Sequence, residues 1–360
     1  MPISAVDAIS LAFQHTKRQL FQPFRFWQWT KLALVGLLAG ESGSSGGFNF
    51  PSNFNIPQQG KSSEHFLSQG FPHIDPAILG TLITIIVVTA IILGIVLTYI
   101  SSVMRFILFD SVLLKDCRIR EGWTRRQERG WDYFLWQLAF IVVMLLGLAV
   151  IVGIPAALAY SEGWFREPGQ HIAALVLAGI AVFFLFLIWL VAAIVAQVFT
   201  KDFVVPQMAL EGIDAFEGWR RLWPILQQET GGYAAYAGMK VVLTIGAGIV
   251  IGIAGLIVGL VVMIPAAALA VAAILAGKAA GLTWNALTIT AAVIGGCILF
   301  AILFYVIALV SVPAIIFFPA YSIYFFAPRY RALSLALYPP PPAAMTPPPQ
   351  DFPPAAPAPA

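Results

Sequence analysis

The chain has 360 residues, of which 60% are hydrophobic and only 10% charged, against roughly 25% charged in soluble proteins. Several charge-free runs exceed the ~20 residues that cross a bilayer's hydrocarbon core, which excludes a soluble fold. A net charge of +3 gives no nucleic-acid signal, and two isolated cysteines, Cys117 and Cys297, form neither a disulfide framework nor a metal-ligand spacing.

Residues 3–24 place Val6, Ile9, Phe13, Leu20 and Phe24 mostly three or four apart, with Asp7, Gln14, Lys17 and Arg18 between them. That spacing predicts one apolar stripe on a helix lying in the membrane interface. Phe24, Phe26, Trp27 and Trp29 follow as an aromatic belt, and a first span is expected over 26–40. This first apolar run has no cleavage context and reads as a retained anchor. Residues 41–76, rich in Gly, Ser, Asn and Pro, read as a surface loop. A second, charge-free span covers about 77–104. Its threonines Thr81, Thr84, Thr89 and Thr98 can bond back to their own helix and argue only weakly for a pore.

Residues 105–132 carry seven Lys or Arg: Arg105, Lys115, Arg118, Arg120, Arg125, Arg126 and Arg129. A third span at about 133–159 contains Ile154-Pro155-Ala156-Ala157, and a fourth runs over about 172–199. A second polar segment fills 201–235, with Ile213, Phe216, Trp219 or Arg220, Trp223 and Leu226 on one helical face and Pro224 expected to bend or end that helix. Residues 241–277 are apolar for roughly 55 Å as a straight helix. They repeat Ile264-Pro265-Ala266-Ala267, so one span broken at its outer end is favoured over two short ones. The last apolar stretch, 286–326, contains Pro313 and Pro319. Residues 339–360 are nearly all Pro and Ala and form an expected disordered tail.

The two polar segments echo one another. Glu121-Gly122-Trp123 with Arg125 recurs 96 residues later as Glu217-Gly218-Trp219 with Arg221, and the match extends back to Leu114 with Leu210 and Arg105 with Lys201. A fixed-period echo marks a duplicated unit. With the N-terminal helix leading a third pair of spans, the expected fold is an all-α polytopic membrane protein. It has about six transmembrane helices in three parallel repeat units: 1–104, 105–200 and 201–338. Seventeen of the twenty Lys and Arg then fall on one side, leaving Lys61, Arg166 and Lys278 outside. The positive-inside rule makes that side cytoplasmic, holding both termini, in a cell (inner) membrane.

In the repeated motif, Gly permits a turn or close approach, Trp anchors at the headgroup level, and Arg can pair with the Glu or with phosphate. A structural corner is the simpler reading and a headgroup or partner contact the sharper one. The basic run 105–129, diluted by Asp110, Asp116, Glu121 and Glu128, reads first as a topology signal and second as an anionic-lipid patch. Gly248, Gly252, Gly255 and Gly259 lie near one helical face, expected to serve helix packing within the chain or, alternatively, a homodimer seam. No Asp, Glu, Lys, Arg or His falls near the middle of an expected span, which disfavours an ion- or proton-coupled transporter. His15, His65, His73 and His171 are scattered, and no catalytic signature occurs.

The repeated Glu-Gly-Trp-x-Arg and Ile-Pro-Ala-Ala, set in units of amphipathic segment plus span pair, resemble bacterial integral membrane proteins of unknown function. That group is similar to the membrane domain attached to some glycerophosphodiester phosphodiesterases. The resemblance implies an all-helical membrane fold with a link to the envelope or to lipids; the catalytic domain is absent and no catalytic residue transfers. The expected function is a non-enzymatic scaffold or accessory protein without cofactor or metal. Its expected partners are membrane lipids, with a homo-oligomer or a membrane-protein partner also open. A permease for a hydrophobic or amphiphilic solute is the alternative, and a membrane-embedded enzyme the third reading. The Pro/Ala tail could bind a proline-recognising partner.

Overall fold

The structure, a computed structural model, describes residues 3–41, 76–165, 169–281 and 286–339. The expected loop over 41–76, apart from Glu41 and Pro76, lies outside them, as do Arg166, Glu167 and the tail beyond residue 339. Among the described residues no strand occurs. The helices are α1 (Asp7–Phe21), α2 (Phe26–Leu38), α3 (Pro76–Leu114), α4 (Ile119–Ser161) and α5 (Ile172–Phe199). A π-helical turn, Thr200–Val204, leads into α6 (Val205–Glu211), followed by α7 (Ala215–Gln228), α8 (Thr230–Ala279), α9 (Ala286–Phe326) and α10 (Arg331–Leu337).

Five helices among the described residues are long and apolar enough to cross a bilayer: α3, α4, α5 with its continuation through α6, α8, and α9. This is a polytopic membrane protein. The expected first span is not among the five. At 13 residues α2 is about 20 Å long, short of the ~30 Å hydrocarbon core. It lies antiparallel along the last turns of α3, with Gln28 donating to the Lys115 carbonyl at 2.9 Å and the Ala39 carbonyl accepting from Arg105 at 2.5 Å. Gly36 allows the approach of α9, since a Cβ there would sit 2.3 Å from Ile315. Glu41 therefore ends beside Arg105, about 44 Å along α3 from Pro76.

Three further expectations change. The first polar segment holds no separate interfacial helix: residues 105–114 complete α3, and α4 runs unbroken from Ile119 into its apolar half. Residues 241–277 lie within one helix, and Pro265 does not break it. Pro224, Pro313 and Pro319 likewise sit inside continuous helices.

Packing is concentrated at one end. From Leu82 to Leu97 on α3, Ile141 to Leu158 on α4, Ile172 to Val195 on α5 and Val241 to Leu275 on α8, large apolar side chains are exposed. In lipid such surface needs no protein cover, because lipid tails are as apolar as the side chains. Thr84 and Thr98 bond to the carbonyls of Gly80 and Gly94 on their own helix. The core instead gathers Phe106, Ile107, Leu108, Tyr133, Phe203, Tyr236, Ile315, Tyr321, Phe325 and Phe326 with α1, α2, α7 and α10 around them. Phe203 stands at its centre, with ring centroids 5.1 Å from Tyr233, Tyr236 and Phe326.

Helix α1 docks by a face that takes in Leu20 and part of Ile9 from the apolar stripe but turns the rest of it outward. Ala8, Ala12, His15, Thr16, Gln19 and Leu20 are buried, while Val6 and Phe13 of the stripe are 60% and 64% exposed. Small and polar groups fit because the helix lies close to α9 and finds partners there. His15 Nε2 donates to the Val112 carbonyl at 3.0 Å, which leaves Nδ1 to accept from the Tyr324 hydroxyl at 3.1 Å.

Burial, and then the neighbouring Lys115 charge, hold the His15 pKa below its ordinary 6.5, against smaller opposing hydrogen bonds to Val112 and Gln19. The folded state therefore takes up this proton less readily than the unfolded one. Its contribution to stability is complete above pH ~6.5 and is lost as pH falls toward the lowered value. Acidifying the detergent-solubilised protein from pH ~7.5 to ~5.5 is expected to lower its melting temperature. In His15→Gln, which cannot charge, melting curves at the two pH values should differ much less.

Candidate functional site

Where the exposed apolar helices enter the packed end, five ionisable side chains meet. Glu41 Oε1 accepts from Arg105 at 3.1 Å and faces Lys201 at 3.2 Å. Asp202 Oδ2 accepts from the Tyr236 hydroxyl at 2.8 Å and pairs with Lys240. None of the five side chains is more than 16% exposed. Each ion is expensive to hold in a poorly hydrated setting unless paired, and here the residues just after α2, helix α3, the π turn and α8 each supply a partner. The Arg105 guanidinium also lies 5.8 Å from the Tyr133 ring and caps α2 through the Ala39 carbonyl, where a helix C-terminus attracts a cation.

The π turn makes this convergence possible. An inserted residue widens the helix locally, a feature frequent at functional sites. The adjacent residues Lys201 and Asp202 reach two different partners from it. The turn is stapled to α7 by Trp219, whose Nε1 donates to Thr200 Oγ1 at 3.0 Å. Between the two ion groups lies a cavity of ≈ 30 Å³ lined by Glu41, Arg105, Lys201, Asp202 and Ser322 among others. That is room for a water molecule and little more. The sequence pattern missed the cluster. Arg105 and Lys201 stand directly after apolar runs and Lys240 directly before one, where charge marks the edge of a span, whereas each lies within a continuing helix. The pairing of Arg105 with Lys201 across the 96-residue echo was the available signal, since both cations face one carboxylate.

The repeated motif forms two corners. A Cβ on Gly122 would sit 3.1 Å from Ile107 of α3, and one on Gly218 only 2.7 Å from Val204. Both glycines therefore let a helix start close against the one just ended. Trp123 packs edge-on to Tyr99 at 6.2 Å. Asp214 caps α7 by accepting from the Glu217 amide at 2.9 Å. Glu217 pairs with Arg221 at 3.0 Å, and Arg221 also pairs with Glu211. In the first corner Glu121 pairs with Arg118 at 3.3 Å, and Arg125 lines an open cleft with Asp110 and Asp116. The corners are tied to each other by Arg126, which makes two 2.7 Å bonds to Asp110 and a third to the Ala209 carbonyl.

At Gly252, Gly255 and Gly259 of α8 no other helix comes into close contact. Cβ atoms on Gly252 or Gly255 would meet nothing within 4 Å, and one on Gly259 only Leu303 at 3.9 Å. Gly248 lies one turn before them on the same helix. Among the described residues no three His, Cys, Asp or Glu side chains cluster tightly enough to hold a metal ion.

Residues 3–336 match the model of a family of unknown function, DUF7544, and the chain belongs to that family. No curated protein and no solved structure matches the chain.

Glu41→Gln removes the anion shared by Arg105 and Lys201 and leaves two buried cations facing each other. Breaking a buried pair in this way costs about 3–5 kcal/mol. Denaturant unfolding in detergent should register that loss, and a second replacement, Lys201→Met, should recover part of it. An unchanged midpoint in Glu41→Gln would show that the cluster does not hold the packed end together.

Proposed function

We propose that this chain is a non-enzymatic scaffold or accessory protein of the inner membrane, which organises lipids or partner proteins through its packed end. The observation that carries the reading is α7. It buries Ala215, Gly218 and Leu222 but leaves Phe216 73% and Trp223 57% exposed, with Arg220 also exposed on the helix. A helix held by its small residues and turning bulky aromatic ones outward suits the headgroup region of a bilayer. Phe13 and Val6 on α1 are presented in the same manner.

All Lys and Arg except Lys61, Arg166 and Lys278 lie on or beside α1, α2, α7, α10 and the packed-end parts of the long helices, which supports a cytoplasmic location for the packed end. The 96-residue echo supports an origin in parallel repeat units, the first of them reduced to a short α2. The likeness to the membrane domain attached to some glycerophosphodiester phosphodiesterases supports a lipid connection and carries no hydrolysis with it. A permease for an amphiphilic solute is the second reading. It is favoured by Arg105, Lys201, Asp202 and Lys240 lying within the long apolar helices, since such residues often mark solute pathways.

The two readings separate on Phe216→Ser combined with Trp223→Ser. A scaffold working through α7 loses bound lipid, counted by native mass spectrometry from nanodiscs, while amphiphilic dyes cross reconstituted vesicles at the protein-free rate. Protein-dependent dye flux that survives both replacements would overturn the scaffold in favour of the permease.

A further inference from the structure

A groove of ≈ 510 Å³ lies beside the α3–α4 contact, lined by Tyr99, Gln127, Glu128, Arg129, Trp131 and Asp132. Gly130 sets its shape. A Cβ there would sit 2.5 Å from Val103, so the two helices touch at residue 130 and the side chains on either side of it flank the contact. Tyr99 stands edge-on to Trp123, Trp131 and Phe134 at 6.2, 5.8 and 5.8 Å. Trp131 is half exposed, so one indole keeps open surface toward the groove. Glu128 is exposed and has no ion-pair partner among the described residues. Arg129 pairs with Asp132 at 3.1 Å, with both side chains 35% exposed, so that contact is weak enough for a ligand to exchange with it.

The lining offers two carboxylates and aromatic surface for an ammonium group, and one guanidinium for a phosphate. The surplus of negative charge disfavours a headgroup that carries only phosphate. Its level in the fold selects the source of the ligand. On α3 the fully exposed apolar surface ends at Leu97 and packing begins around Tyr99, so acyl chains could run along α3 while the headgroup enters the groove. We infer that the groove binds the headgroup of an amine-bearing phospholipid of the phosphoethanolamine class. The inference deepens the reading of the packed end as a lipid-organising surface, but it uses a different site from α7.

The test is native mass spectrometry of the full chain released from nanodiscs of equal phosphatidylethanolamine and phosphatidylglycerol. One phosphatidylethanolamine per chain should be retained about three- to fivefold over phosphatidylglycerol, the factor an exposed cation–π contact supplies. Trp131→Ala, and Glu128→Gln with Asp132→Asn, should erase the preference, and Trp131→Phe should keep it. Melting curves of the Trp131 variants should match the parent, which separates lost binding from lost folding. Equal retention of the two lipids, or a preference untouched by Trp131→Ala, would overturn the assignment. So would retention of soluble phosphoethanolamine in place of lipid. Phe216 and Trp223 lie outside the groove, so their variants leave this result unchanged and a failure here is distinct from a failure of the scaffold reading.

Discussion

Charge buried in a poorly hydrated protein must be neutralised locally, and that requirement fixes the geometry of the packed end. Glu41 answers Arg105 and Lys201, and Asp202 answers Lys240 and Tyr236. Four separate elements cannot drift apart without leaving an ion unpaired. Close packing alone would tolerate small shifts between helices, whereas ion pairs with these few partners do not. The aromatic cluster around Phe203 then excludes water from the neighbouring turns and strengthens the electrostatics it surrounds. Arg329 closes the assembly by joining Glu229 at 2.7 Å to the Ile3 carbonyl at 3.2 Å, tying the first residues of the chain to the 3-10 turn between α9 and α10. Its hydrogen bonds hold the Glu229 pKa below the usual 4.5.

Outside that end the molecule follows a different rule. Apolar helices in lipid gain nothing from hiding their surface, and they meet only where a small residue permits it. At Gly147 a Cβ would sit 2.2 Å from Trp189, so α4 and α5 touch there. A protein built this way presents its specificity at one level of the membrane and a plain hydrocarbon surface elsewhere. The exposed aromatic groups of α7, the two corners and the Tyr99 groove all occur at or near the packed end.

Long apolar runs made the spanning helices legible in the sequence, and periodicity located α1 and α7. The glycines of the echoed motif were legible as points of close approach, because no other residue type explains Gly122 and Gly218 at helix starts. Other features were not. A stripe of Val6, Ile9 and Phe13 identifies a helix but not which face the protein takes, because protein and lipid both accept apolar groups. The Ala8, Ala12 and His15 face won because small side chains allow close contact and His15 finds two partners. Charge was misread for a related reason. A Lys or Arg after an apolar run looks like the end of a span, and only tertiary structure shows that Arg105 and Lys201 find a carboxylate 64 and 160 residues earlier in the chain. The length of α2 was hidden because aromatic belt residues were counted toward a crossing the helix is too short to make.

The π turn bears on how two such similar corners can differ. Ile107 and Val204 play the same part against Gly122 and Gly218, yet they lie one residue further apart than the 96-residue period. So do the helix ends at Leu114 and Glu211. The extra residue enters at the π turn and is given back by a shorter link before α7. The second corner therefore keeps its phase relative to the first, while the helix leading into it is rotated by part of a turn. That angular setting is reached without disturbing the neighbouring elements, and it lets the first of the two echoed segments present a single cation, Arg105, and the second a cation and an anion side by side, Lys201 and Asp202.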